Sequence, residues 1–264
     1  MQDIFKLFKN LPLLLYMSRK EMSDRYAGSS FGLLWTIIQP LFLIAVYALV
    51  FTFVFKVRIG GDGSPTVYAF YALAGLLPWT AAAEGLSKSV SSLTGKISLV
   101  KQAIFPIEIL PLVSVSVSFL PLFFGMIIYI LGVLAFNPSQ ISWAMLLLPL
   151  VILIHFIFMA GVSYLLSIGG VYFRDLGELI ALLLTVGLFI TPILYLEKSI
   201  PKAFQIPMKF NLIAHLVNMY RDVLFYGQIN HPWSFGIFSI SAILLFLGGF
   251  FAFRKVKHLL ANVL

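Results

Sequence analysis

The chain has 264 residues and a formal net charge of +8, yet only 11% of it is charged and 61% is hydrophobic. Soluble domains average roughly 45–50% apolar and about 25% charged residues, so this chain cannot hide its apolar surface in water and must use lipid as its solvent. The surplus of Lys and Arg reads as loop charge that orients membrane helices rather than as a nucleic-acid surface, and the lack of cysteine excludes disulfides.

The expected fold class is therefore all-α and polytopic. The first 30 residues carry Asp3, Glu21 and Asp24 and lack a short apolar core before a small-residue cleavage site, so no cleavable signal peptide is expected. Within residues 2–24, Ile4, Leu7, Phe8, Leu11 and Leu15 recur at helical spacing, with Lys6, Lys9 and Asn10 on other faces. That pattern predicts an amphipathic helix lying in the interface, divided in two at Pro12. Either a contact helix for a partner or a plain lipid-surface anchor satisfies it. The stretch from Arg25 to Trp35 follows, with a basic Arg-Tyr head, small residues and then an aromatic, which marks the inner boundary of the membrane.

Six apolar runs are long enough to cross: 33–55, 67–86, 109–136, 143–172, 179–196 and 233–253. A crossing takes about 20 residues over about 30 Å of hydrocarbon. The second run is the weakest, interrupted by Pro78 and Glu84. The organisation expected is one transmembrane domain over 1–264, with a cytoplasmic interface segment at 1–32, six spans across 33–253 and a tail at 254–264. An even count puts both termini on one side. With termini inside, 12 of the 18 Lys and Arg fall in cytoplasmic segments, so both termini are expected in the cytoplasm.

Two connections stand out. The loop over 87–108 carries a candidate surface helix at 87–93, and Pro106 and Pro111 bracket the return to the membrane. It reads equally as a helix presented to a cytoplasmic partner and as a passive linker. In the segment 197–232, Asn211 caps a predicted helix through Leu212, Leu216, Tyr220 and Leu224 to Gly227. About 15 residues reach only about 22 Å, so a re-entrant or outer-surface helix is expected there. Thr191-Pro192 begins the departure from a straight fifth span.

Chemistry is sparse. The Gly95-Lys96 pair has Val90 and Ile97 where a phosphate loop needs glycine and Ser or Thr, and the four histidines lack metal-ligand spacing. His155, inside the fourth run, is read first as a neutral histidine bonded between helices. Tyr172-Phe173-Arg174-Asp175 suits a short inner turn. Tyr47, Phe51, Tyr71 and Trp79 either join an aromatic belt or line a path along which the C–H faces of sugar rings slide.

Taken in order, Arg25-Tyr26, Ser29, Gly32-Leu33-Leu34-Trp35, Pro40, Phe105-Pro106, Glu108-Ile109-Leu110-Pro111, Tyr172-Phe173-Arg174-Asp175, Thr191-Pro192-Ile193-Leu194-Tyr195, Asn211 and Tyr220-Arg221 resemble the permease subunit of ABC-2-type exporters, specifically the O-antigen and capsular polysaccharide group. Ile107 departs from that pattern, where such permeases often carry a basic residue.

The resemblance implies a homodimer in the bacterial inner membrane working with two separate cytoplasmic ABC ATPase subunits. ATP and Mg would sit on those subunits; no cofactor, metal or catalytic residue is expected in this chain. The cargo implied is a polyprenyl-diphosphate-linked glycan. Lys88, Ser91, Leu93, Lys96 and Lys101 would couple to the ATPases, and Lys20, Arg25, Tyr26 and Trp35 would hold the interface helix at the inner boundary. Lys20, Arg25 and Lys88 either attract an anionic lipid head or simply serve the positive-inside bias. Asn211, Tyr220 and Arg221 would belong to periplasmic gate helices. Other readings are the same architecture exporting teichoic acid, capsule or a small amphiphile, and a passive scramblase or membrane enzyme.

Overall fold

In a computed structural model of the chain, the residues described are 9–55, 65–102, 105–138, 141–196 and 207–263. The positions 4, 7 and 8 of the expected amphipathic stripe lie outside them. Helix α1 (Leu11–Arg25) carries Pro12 in its first turn, where the missing N–H costs nothing. Lys9 is helical and Asn10 forms a turn, so a break falls just ahead of Pro12, which opens the helix that follows. Leu13, Leu14, Met17 and Met22 pack against Ile109, Val113 and Val117, while Leu11 and Leu15 stay exposed.

A 3₁₀ turn (Gly32–Leu34) leads into α2 (Trp35–Leu49), which continues as a π-helical turn over Val50–Phe55. Helix α3 (Pro65–Val90) follows and takes in the first four residues of the segment expected as a separate surface helix at 87–93. That part of the loop is the end of a long helix because Ser89 is pulled inward. Its Oγ donates to Ser163 Oγ at 2.7 Å, which donates to the Pro111 carbonyl at 3.0 Å. A turn (Thr94–Lys96) and the one-turn α4 (Ile97–Val100) complete the loop.

Helices α5 (Ile109–Phe136) and α6 (Leu148–Tyr172, preceded by a 3₁₀ turn at Trp143–Leu147) are long and apolar. Helix α7 (Leu176–Ile190) is apolar but short. Its 15 residues reach about 22 Å at 1.5 Å each, short of the run expected over 179–196. Thr191 ends it in extended geometry, φ −79° and ψ 137°, because the residue before Pro192 is pushed out of the helical region. Helix α8 (Leu212–Arg221) closes with a π-helical turn (Asp222–Tyr226) and Gly227 at φ +65°, the left-handed cap glycine supplies cheaply. Helix α9 (Pro232–Val263) returns along the molecule.

Among the described residues, five helical stretches are long and apolar enough to cross a membrane: Gly32–Val54, Thr66–Val90, Ile109–Phe136, Trp143–Tyr172 and Pro232–Leu260. Helix α3 sits at the centre, touching α2, α5, α6, α7 and α8. Helices α6 and α9 run together along most of their length. A Cβ built on Gly161 would strike the backbone of Leu245 and Phe246, and one on Gly249 would strike the Gly161 carbonyl. Small residues here permit backbone-to-backbone packing of the kind that holds helices together in lipid. The ends of α3, α6 and α9 gather Lys88, Arg174 and Arg254 at one basic end, where Lys257 meets Glu108 at 3.2 Å.

Candidate functional site

Residues singled out from the sequence fall into two groups, one at each end of the bundle. At the basic end, Glu84 of α3 pairs with both Arg25 at the end of α1 and Lys88 one turn further along α3. Lys96 reaches across from the loop to Glu21 of α1 at 2.6 Å. These pairs tie α1 to the 91–101 loop and to α3. Tyr26 donates its hydroxyl to Gln39 Oε1 at 3.3 Å, and the Trp35 indole N–H donates to Ser29 Oγ at 2.9 Å, clasping the turn into α2. Lys20, Ser91 and Lys101 are exposed.

Leu93 behaves differently. It is fully buried with Val100, Ile107, Leu110, Phe253 and Leu260. It therefore anchors the loop from below and offers no surface for a partner. Ile107 joins the same cluster, which explains why an apolar residue suits that position.

At the opposite end the structure builds a latch around a buried cation. Arg221, 1% exposed, lays its guanidinium 3.7 Å from the Tyr71 ring centre and donates from Nη2 to the Ile193 carbonyl at 2.7 Å. Tyr68 donates to the next carbonyl, Leu194, at 2.6 Å. Asn211 does two jobs. Its Oδ1 accepts from the N–H groups of Ile213 and Ala214, capping α8, and its Nδ2 donates to Thr191 Oγ1 at 3.0 Å. The chain turn after α7 is thus held by α3 from one side and α8 from the other. A cation taken out of water needs this many partners, because an unpaired one costs several kcal/mol.

Tyr220, also buried, places its hydroxyl 3.2 Å from His155 Nδ1, so His155 bridges α6 to α8. Asp222 is buried and accepts from both the backbone N–H and Nδ1 of His231, each at 2.8 Å.

Three of the four aromatic candidates, Tyr47, Phe51 and Tyr71, pack into a ladder rather than lining open space. Tyr47 contacts Phe51, Phe51 contacts Tyr68, Tyr68 stacks near Tyr71, and Tyr71 meets Phe225, with centroids 5.1–6.0 Å apart. This ladder runs from α2 to the π-turn of α8 and is packed core, since Phe51 and Tyr71 are buried. Trp79 fills the space over Gly187 of α7. It shares with Asn211 a cavity of about 250 Å³ between α3, α7 and α8.

Glu84 and Asp222 are residues to which sequence reasoning assigned no role in a site, and the bond from Asn211 to Thr191 is a role for Thr191 that spacing alone does not show. Glu84 had a signal, since Lys88 stands four residues ahead of it on the same helix face.

Comparison with known proteins decides the family. The family model described as "ABC-2 type transporter" matches residues 12–225. The chain belongs to the ABC-2 type transporter family. Two curated relatives from Klebsiella pneumoniae, each named O-antigen export system permease protein RfbA, are 29% identical over 254 residues, covering 96% of this chain and 95% of theirs. A Myxococcus xanthus protein of the same name is 28% identical over 222 residues, covering 83% of each chain. Every residue of the latch lies inside the matched ABC-2 region, as do Glu84 and its two cations. Membership makes this a multi-pass transport subunit of a family that works with an ATPase subunit.

Proposed function

We propose that this chain is the permease subunit of an ATP-driven exporter that moves lipid-linked O-antigen or a related polysaccharide across the bacterial inner membrane. The observation that carries it is the end-to-end likeness to relatives named O-antigen export permeases, over nearly the full length of both chains. On this reading two copies pair, each a single domain of six crossings, with the short α7 and the turn after it making up the fifth. Two cytoplasmic ATPase subunits, carrying ATP and Mg, dock on the basic end, which faces the cytoplasm together with both termini.

Two features support the coupling part. The helix α1, the 91–101 loop and α3 are joined by ion pairs through Glu84 and Glu21. Ser91 and Lys101 are exposed beside them. A push on the loop therefore reaches the centre of the bundle through α3. At the other end, α8 with Asn211, Tyr220 and Arg221 acts as the outer gate, latched to α3 when shut. The aromatic ladder from Tyr47 to Tyr71 parts along its ring faces to admit a polyprenyl-diphosphate-linked glycan.

Deleting the gene and resolving surface polysaccharide on gels tests the reading. Loss of the long-chain ladder, restored by the wild-type gene, is the expected result. An unchanged surface glycan would sink it. Affinity purification from detergent should bring down an ATPase with the wild-type chain and much less of it once residues 91–101 are replaced by a Gly/Ser linker.

A further inference from the structure

At the end of the bundle that carries the Arg221 latch lies a cavity of about 550 Å³ that the export reading does not use. That size falls in the roughly 300–1,000 Å³ range of small-molecule sites. Its walls include Lys209, His215, Asn218, Asn230, His231 and Trp233.

Three of these wall groups are fixed from behind. The Lys209 carbonyl can only accept, so His215 Nε2–H donates to it at 2.9 Å, and Nδ1 then accepts from the Ser234 hydroxyl at 3.0 Å. Buried Asp222 holds both N–H groups of His231. Gln228 donates to Asn230 Oδ1 at 3.1 Å, which leaves the amide N–H groups of Asn230 available. Two features remain without a structural purpose. The Asn218 side chain is 8% exposed and its Oδ1 has no hydrogen-bond partner, a condition that calls for an explanation in a folded protein. Trp233, another residue of the wall, is 81% exposed.

We propose that this cavity is a saccharide subsite that takes one pyranose unit of the exported glycan at the latch end. An exposed indole face beside carboxamide groups suits the C–H face and the hydroxyls of a sugar ring. An anionic headgroup fits less well, because Lys209 is the one formal cation among these lining residues and Asp222 sits behind them. The inference rests on the exporter reading and adds a place where the cargo is recognised by its sugar.

The test uses the full chain in nanodiscs and saturation-transfer NMR. The probe is polysaccharide released by mild acid from the surface glycan of the encoding strain. Trp233→Ala should weaken binding at least tenfold, and Asn218→Leu should do the same. Trp143→Ala should leave it unchanged, since Trp143 is 63% exposed at the same end but outside the cavity. Binding by Trp233→Ala equal to wild type overturns the subsite, as does no binding by the wild type or equal loss in Trp143→Ala. A Trp233-dependent signal that follows phosphatidylglycerol content rather than polysaccharide assigns a lipid headgroup and also overturns it. If the deletion strain keeps its surface glycan, the exporter reading itself falls. If surface glycan depends on the chain while Trp233→Ala binds normally, only the subsite falls.

Discussion

Helices α2 and α3 are neighbours with opposite fates. Of the α2 span only 11% of the apolar window is buried inside the chain, whereas for the α3 span the share is 72%. Yet α2 is the more apolar by sequence, and α3 is the run broken by Pro78 and Glu84. In lipid this inversion makes sense. Tails are as apolar as leucine, so burial follows packing and polar pairing rather than hydropathy. Small residues such as Ala72, Ala74 and Ala82, all buried, let neighbours close on α3, and Glu84 gives it a charge to share.

The severest way to break that contrast is Arg221→Leu. It removes a cation–π contact worth about 2 kcal/mol when desolvated and leaves the Ile193 carbonyl without its donor, at about 1–3 kcal/mol. Thermal unfolding in detergent should shift down by roughly 10 °C. Arg221→Lys should recover only part of the loss, because an ammonium lacks the planar fork. Asn211→Ala removes both the cap and the bond to Thr191, and should cost about 1 kcal/mol, read in the same assay.

Smaller effects test the basic end of α3 and then α2. Glu84→Gln frees Arg25 and Lys88 from a partly exposed pair worth about 1 kcal/mol or less. Stability should barely change, but trypsin should cut after Arg25 faster than in the wild type. Phe42→Ala, on the exposed face of α2, should alter stability by no more than about 0.5 kcal/mol. A larger drop in lipid, with loss of a cross-linked dimer band, would show that a second copy covers α2 and would sharpen the comparison into one between two kinds of interface.

The sequence made the crossing helices legible because a run of about 20 apolar residues has few other fates. It also made the Asn211 cap legible, since the local side chain and the first N–H groups are near neighbours. Arg221 was not legible as a buried group. Its partners, Tyr71 and Ile193, lie 150 and 28 positions away, and nothing local says that a basic residue after an apolar helix points inward. The same holds for Leu93 and for the aromatic ladder, where spacing gives a helix face but not what that face meets. Helix α7 came out shorter than its apolar run because Pro192 acts on Thr191 locally while hydropathy averages over it.

The glycine contacts between α6 and α9 set a mechanical condition on all of this. Backbones that touch leave no layer of side chains on which to slide or roll. The α6–α9 pair therefore behaves as a stator. On the proposed reading, a stroke delivered at the basic end would be taken up by α2, α8 and the part of α3 away from Val90, whose carbonyl lies against Gly170 of α6.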